Sequence, residues 1–71
     1  MPYQVSVTRK NGDMENELAL HHMSTPKIGD MIEARLPSGS VNARVDSLHT
    51  PISKQGGRSV AVVIEVHANE I

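Results

Sequence analysis

Cysteine is absent from this chain, so neither a disulfide framework nor a thiolate metal site can be built from it. Small secreted domains usually need such staples, so the absence predicts a reducing, cytoplasmic setting. Aromatic residues are nearly absent too, and Tyr3 is the only one. That argues against gripping single-stranded nucleic acid by base stacking and against an aromatic cage for methylated lysine. The core is left to Val, Ile, Leu and Met. No charge of one sign dominates: 7 Lys and Arg stand against 8 Asp and Glu, for a net charge of −1. A nucleic-acid-binding domain usually carries a basic stripe, and here the signs alternate along the chain. No apolar run is long enough to span a membrane as a helix, and no signal-peptide core precedes the first strand. The expectation is one domain over residues 1–71, cytoplasmic, with no membrane partner. A chain of 71 residues buries roughly 60% of its unfolded surface, which leaves a thin stability margin.

What is present is a period-2 pattern. The segment Met31 to Leu36 pairs with Val41 to His49 across a turn centred on Ser38-Gly39. That turn sets Leu36 opposite Val41, Ala34 opposite Ala43 and Ile32 opposite Val45, three apolar pairs on one face. The other face pairs Glu33 with Arg44 and Arg35 with Asn42. Gly39 supplies the positive φ that a hairpin turn needs.

Tyr3 to Arg9 reads as a strand with Tyr3, Val5 and Val7 on one face. Asn11-Gly12 follows, a strong hairpin-turn dipeptide. A two-residue turn there sets Val5 opposite Leu18 and Tyr3 opposite Leu20, with Ser6 facing Glu17 and Thr8 facing Glu15. Residues 13–23 also contain good helix formers with no β-branched member. A helix capped by Asp13, with Met14, Leu18 and His22 on one face, is the alternative to a strand.

Ser24 to Asp30 is a connector, broken by Pro26 and turned by Gly29-Asp30. Thr50 to Ser59 reads as a long loop, and Ser59 to His67 as the last strand. Pairing Ile64 with Val45 and Val66 with Ala43 keeps the apolar face continuous. The predicted fold is mainly β: a five-stranded antiparallel small barrel in meander order.

The run Pro26-Lys27-Ile28-Gly29-Asp30-Met31-Ile32, then Leu36-Pro37-Ser38-Gly39, then Ala43-Arg44-Val45 and a Val-rich final strand, resembles an SH3-like small barrel. The resemblance covers roughly two thirds of the chain and implies architecture alone. It carries over no functional residues. The aromatic binding surface of many such modules has no counterpart here.

Candidate chemistry is sparse. His22 and His49 share the parity of inward residues near strand ends, where a carboxylate such as Asp30 could join them around a metal. Their spacing matches no metal motif, and rim histidines tied to the backbone are the simpler reading. No metal site or cofactor is therefore assigned. Glu15, Glu17, Glu33, Asp46 and Glu65 fall on expected solvent faces, without the dry pocket that splits carboxyl pKa values. No Gly-x-Ser-x-Gly elbow occurs, and Gly56-Gly57 lacks the Lys-Ser/Thr of a phosphate loop. No catalytic residue is assigned, and the chain is not expected to be an enzyme.

Two surface features remain. Lys54, Arg58, Arg44 and Arg35 could gather on one rim as an anion or nucleic-acid site. The final strand is apolar on both faces, which makes Ala61 and Val63 candidates for an interface with a protein partner or a second copy. The expected function is a non-enzymatic interaction module that binds another protein or itself. A weak nucleic-acid binder is the alternative, and a metal-binding protein acting through histidine is the third reading.

Overall fold

The computed structural model describes residues 2–50 and 63–71, together with the backbone of Lys54–Gln55 and Arg58–Ser59. The strands are β1 (Tyr3–Thr8), β2 (Met14–Asn16), β3 (Met31–Leu36), β4 (Gly39–His49), β5 (Lys54–Gln55), β6 (Arg58–Ser59) and β7 (Ile64–Glu70). No helix forms among the described residues, and none there is long and apolar enough to cross a membrane. Five strands make one mixed sheet in the order β2-β1-β7-β4-β3, curled into a half-barrel. β5 and β6 form a separate two-stranded hairpin within the expected loop.

The expected antiparallel meander needs correction at its centre. β7 runs antiparallel to β4 but parallel to β1, and it lies between them. The parallel register places Ile64, Val66 and Ala68 beside Tyr3, Val5 and Val7. Two apolar stripes of the same parity thereby merge into one buried face. Val66 faces Leu48 and Ala68 faces Val45, so the predicted pairs Ile64–Val45 and Val66–Ala43 are displaced. β7 starts at Ile64, directly after Val63; the expected strand's residues 60–62 lie outside the described residues.

The β3–β4 hairpin forms, shifted by two residues from the expected register. Leu36 faces Gly39, Ala34 faces Val41 and Ile32 faces Ala43. Pro37 and Ser38 are the central turn residues. Pro37 holds φ near −65° and suits the first central position of a type I turn. Among the described residues no non-glycine residue has positive φ, so the turn is not of the primed kind. Gly39, at φ 132°, starts the next strand. A shift of two preserves the faces, so Ala34, Leu36, Ala43 and Val45 are buried as the pattern predicts. It does change the outer pairs: Glu33 faces Asn42, Arg35 faces Ser40, and Arg44 faces Met31.

The first hairpin slips by one residue, with larger consequences. The Gly12 amide donates to Arg9 O at 2.9 Å, and the Arg9 amide donates to Asp13 O at 2.6 Å. Lys10-Asn11 is thus a type I turn, followed by Gly12 at φ 94° in a three-residue loop. The expected two-residue turn needs Asn11 at positive φ, and Asn11 does not adopt it. Val7 now faces Glu15 and Ser6 faces Asn16. Residues 13–23 are therefore neither a helix nor a long strand, but a three-residue strand and a later bridge from His21 to Tyr3. Leu18 and Leu20, predicted inward, are extruded between these pairings, with Leu18 84% exposed.

The core is Tyr3, Val5, Val7, Ala34, Leu36, Ala43, Val45, Val66 and Ala68, with Ile32, Val41 and Ile64 packed against it. It contains more Val and Ala than large side chains, so each residue contributes modest buried area.

Candidate functional site

Among the described residues the half-barrel has two open edges, β2 and β3. No strand ladder joins them. Two carboxylates span the gap instead. The one-residue slip turns Glu15 and Glu17 toward the concave face, where Leu residues were expected. Glu17 is only 5% exposed, which corrects its assignment to the solvent face. Its Oε2 accepts the backbone amide of Arg35 on β3 at 2.9 Å. Its Oε1 shares a hydrogen bond with His21 Nε2 at 2.6 Å. The His21 ring stacks on Tyr3, with centroids 4.8 Å apart and planes 14° apart. Burial, and then the Glu17 charge, push the Tyr3 hydroxyl above its ordinary pKa.

Arg9 forms a second closure. Its Nη1 donates to Glu15 Oε2 at 2.7 Å and to Ser38 Oγ at 2.6 Å, while its Nε donates to Glu70 Oε1 at 2.9 Å. Ser38 Oγ also donates to Glu15 Oε2 at 2.7 Å. One guanidinium thus ties β2, β7 and the β3–β4 turn together. Hydrogen bonds from Ser38 and Arg9 hold Glu15 below the usual carboxylate range. Those from Arg9 and the Lys10 amide do the same for Glu70.

Beside the Glu17 bridge lies a groove of about 530 Å³ lined by Glu17, Leu18, Ala19, His21, Glu33, Arg35 and Leu36. Its β3 wall is an open strand edge. The even residues of β3 bond to β4, starting from the tight Leu36–Gly39 pair. The odd residues Met31, Glu33 and Arg35 therefore aim their backbone groups into the seam. The Arg35 amide is taken by Glu17. Among the described residues the Met31 and Glu33 amides donate to no protein group. Both Glu17 oxygens are engaged there, one with the Arg35 amide and one with His21.

A second polar cleft, of about 190 Å³, lies on the outer face among Gln4, Ser6, Asn16, Glu65 and His67. Its His67 meets His49 of β4, the rings 4.7 Å apart and edge-on. His49 was expected inward. The bulge between Val45 and Ser47 inserts Asp46 and reverses the parity beyond it. His67 therefore meets His49, while His22 is exposed elsewhere. Asp30 accepts the Lys27 amide at 2.9 Å within its own turn. The pairing of His22 with His49 and Asp30 does not form. Among the described residues no three His, Asp or Glu groups converge as a ready metal cage.

Arg35 and Arg44 do not come together. Arg35 and Arg44 are exposed on the outer face, but Arg44 faces Met31. Four positions on β3 therefore separate the two, about 13 Å, with Glu33 between them. The side chains of Lys54, Arg58 and Ala61 lie outside the described residues, and Val63 is half-buried just before β7. Sequence reasoning missed Glu17, His21 and Arg9. The available signal was Gly12 preceded by two residues suited to a type I turn, which allows the longer loop. No family model matches this sequence, and no curated protein or solved structure is detectably similar to it.

Proposed function

We propose that this chain is a non-enzymatic interaction module on an SH3-like small-barrel scaffold, opened between β2 and β3, that receives an extended segment along the β3 edge. The observation that carries the reading is the Glu17 carboxylate on the Arg35 amide. It occupies the place a neighbouring strand's carbonyl would take, while the Met31 and Glu33 amides beside it donate to no protein group among the described residues. Strand addition uses such an edge, with main-chain hydrogen bonds supplying affinity and alternate side chains supplying selectivity. The apolar wall of Leu18, Ala19 and Leu36 adds surface for the inward side chains of the incoming segment.

Selection of a displayed library of extended peptides against the folded chain tests this reading, with binders mapped by 15N chemical shifts. Shifts centred on the Met31, Glu33 and Arg35 amides support it. Binders that leave those amides unmoved, or a library without binders, refute it.

The His49–His67 pair supports metal binding as a second reading. Imidazole is a good ligand for zinc, copper and nickel. Two imidazoles bound at ~2.1 Å to one ion have ring centres on the order of 5 Å apart, close to the 4.7 Å here. Glu65 faces His49 in the register and its Oε2 lies 3.8 Å from His67 Nε2, so the reading rests on the two imidazoles and not on a third ligand already in place. Titration with Zn²⁺ should move the His49 and His67 signals in wild type and not in His67→Ala. Equal shifts in both proteins remove this reading. The nucleic-acid reading has less support, because Glu33 interrupts the arginines of β3 and β4.

A further inference from the structure

We infer that the segment received by the β3 edge is β3 of a second copy of this chain, paired antiparallel about Ala34. This rests on the reading of β3 as a strand-accepting edge. The argument is one of charge complementarity. A two-fold dimer uses the same patch on both partners, so the pattern on β3 must complement its own reversal. Met31, Glu33 and Arg35 lie on the outer face and carry the outward backbone groups. Only registers that set odd residues opposite odd residues join those groups.

Setting Arg35 against Arg35 is a like-charge clash, and three other such registers lie near the centre of the strand. One sets Glu33 against Glu33 of the second copy, a like-charge clash. One sets Met31 against Glu33, and leaves Arg35 opposite Gly29 with no partner. The third sets Glu33 against Arg35 and Arg35 against Glu33, with Ala34 meeting Ala34 on the axis. It alone neutralises all four charges across the new seam. On the inner face it sets Ile32 against Leu36. On the outer face it covers Met31, which is 62% exposed, with Pro37 of the second copy. Four main-chain hydrogen bonds would form between Glu33 and Arg35 of the two chains. The Arg35 amide exchanges the Glu17 carboxylate for the Glu33 carbonyl of the second copy. Glu17 keeps His21 and acts as a displaceable guard on the edge.

Sedimentation equilibrium on the full chain tests the register directly. Wild type should form dimers. Glu33→Arg places Arg against Arg, and Arg35→Glu places Glu against Glu, so each variant alone should be monomeric. Both positions are exposed, so both variants should keep the native 15N spectrum. Mixing the two monomeric variants should restore dimers, because each then meets its opposite. The double variant, Glu33→Arg with Arg35→Glu, should self-associate like wild type. A wild type that stays monomeric at the highest soluble concentration overturns the inference. So does a mixture that fails to pair, or a single variant that dimerises as well as wild type. If peptides still bind β3 while the chain stays monomeric, the interaction module survives and only self-pairing is lost.

Discussion

The Glu17 carboxylate accepts the Arg35 amide across the open seam at 2.9 Å. A side chain here does what a strand would do in a closed barrel. It satisfies an edge amide and holds β3 against the 17–21 segment. Glu17→Ala should destabilise the fold by about 1.5–3 kcal/mol, the range for losing a hydrogen bond to a charged group. It should also strengthen association at β3, because the guard is gone. Urea unfolding and sedimentation of the same sample check both signs. Loss of stability with weaker association would show that Glu17 supports the edge rather than guarding it.

Acid should loosen the Arg9 closure. Glu15 and Glu70 both titrate below their ordinary 4.5 in the fold. A depressed carboxyl contributes stability that is present above its unfolded pKa and is lost as pH falls through the folded value. The melting temperature should therefore decline below about pH 4.5, and the decline should be shallower in Arg9→Gln. An identical acid limb in both proteins would show that other carboxylates set it.

At high pH the sign reverses through Tyr3. Its hydroxyl titrates above its ordinary 10.0, so the unfolded chain ionises first. Stability present below pH 10 should then fall as pH rises through the folded value. Tyr3→Phe should flatten that alkaline limb, read from thermal melts across the range.

Gly12 holds the register of the first hairpin at φ 94°. An added Cβ meets nothing within 4 Å, so the cost of Gly12→Ala is conformational. It should be about 1–2 kcal/mol in urea unfolding. A neutral substitution would show that the loop can take another conformation without loss.

Val66 is fully buried at the centre of the sheet, whereas Leu18 is mostly exposed. Val66→Ala should cost about 2 kcal/mol or more, and Leu18→Ala within about 0.5 kcal/mol. The reverse order in chemical unfolding would put Leu18 back in the core and restore the two-residue turn.

The reading from residues succeeded where the pattern is local. Alternation over Tyr3 to Val7, Ala34 to Leu36 and Ala43 to Val45 identified the buried side chains. It survived the two-residue shift of the second hairpin, because an even shift keeps each side chain on its face. Reading failed at odd displacements. The Gly12 loop and the Asp46 bulge each add one residue, and each turns over whatever follows. Glu17 thereby went inward and His49 outward, so neither the seam nor the histidine pair was legible.

The sequence by itself determined a β fold and which residues on three of its strands face inward, because alternation acts between neighbours along one strand. Only the tertiary structure decided that β7 enters between β1 and β4, parallel to one and antiparallel to the other. That choice joins segments some sixty residues apart. It depends on two apolar stripes finding a common face, which no local propensity encodes. The open edge between β2 and β3, where the proposed function lies, follows from that same choice.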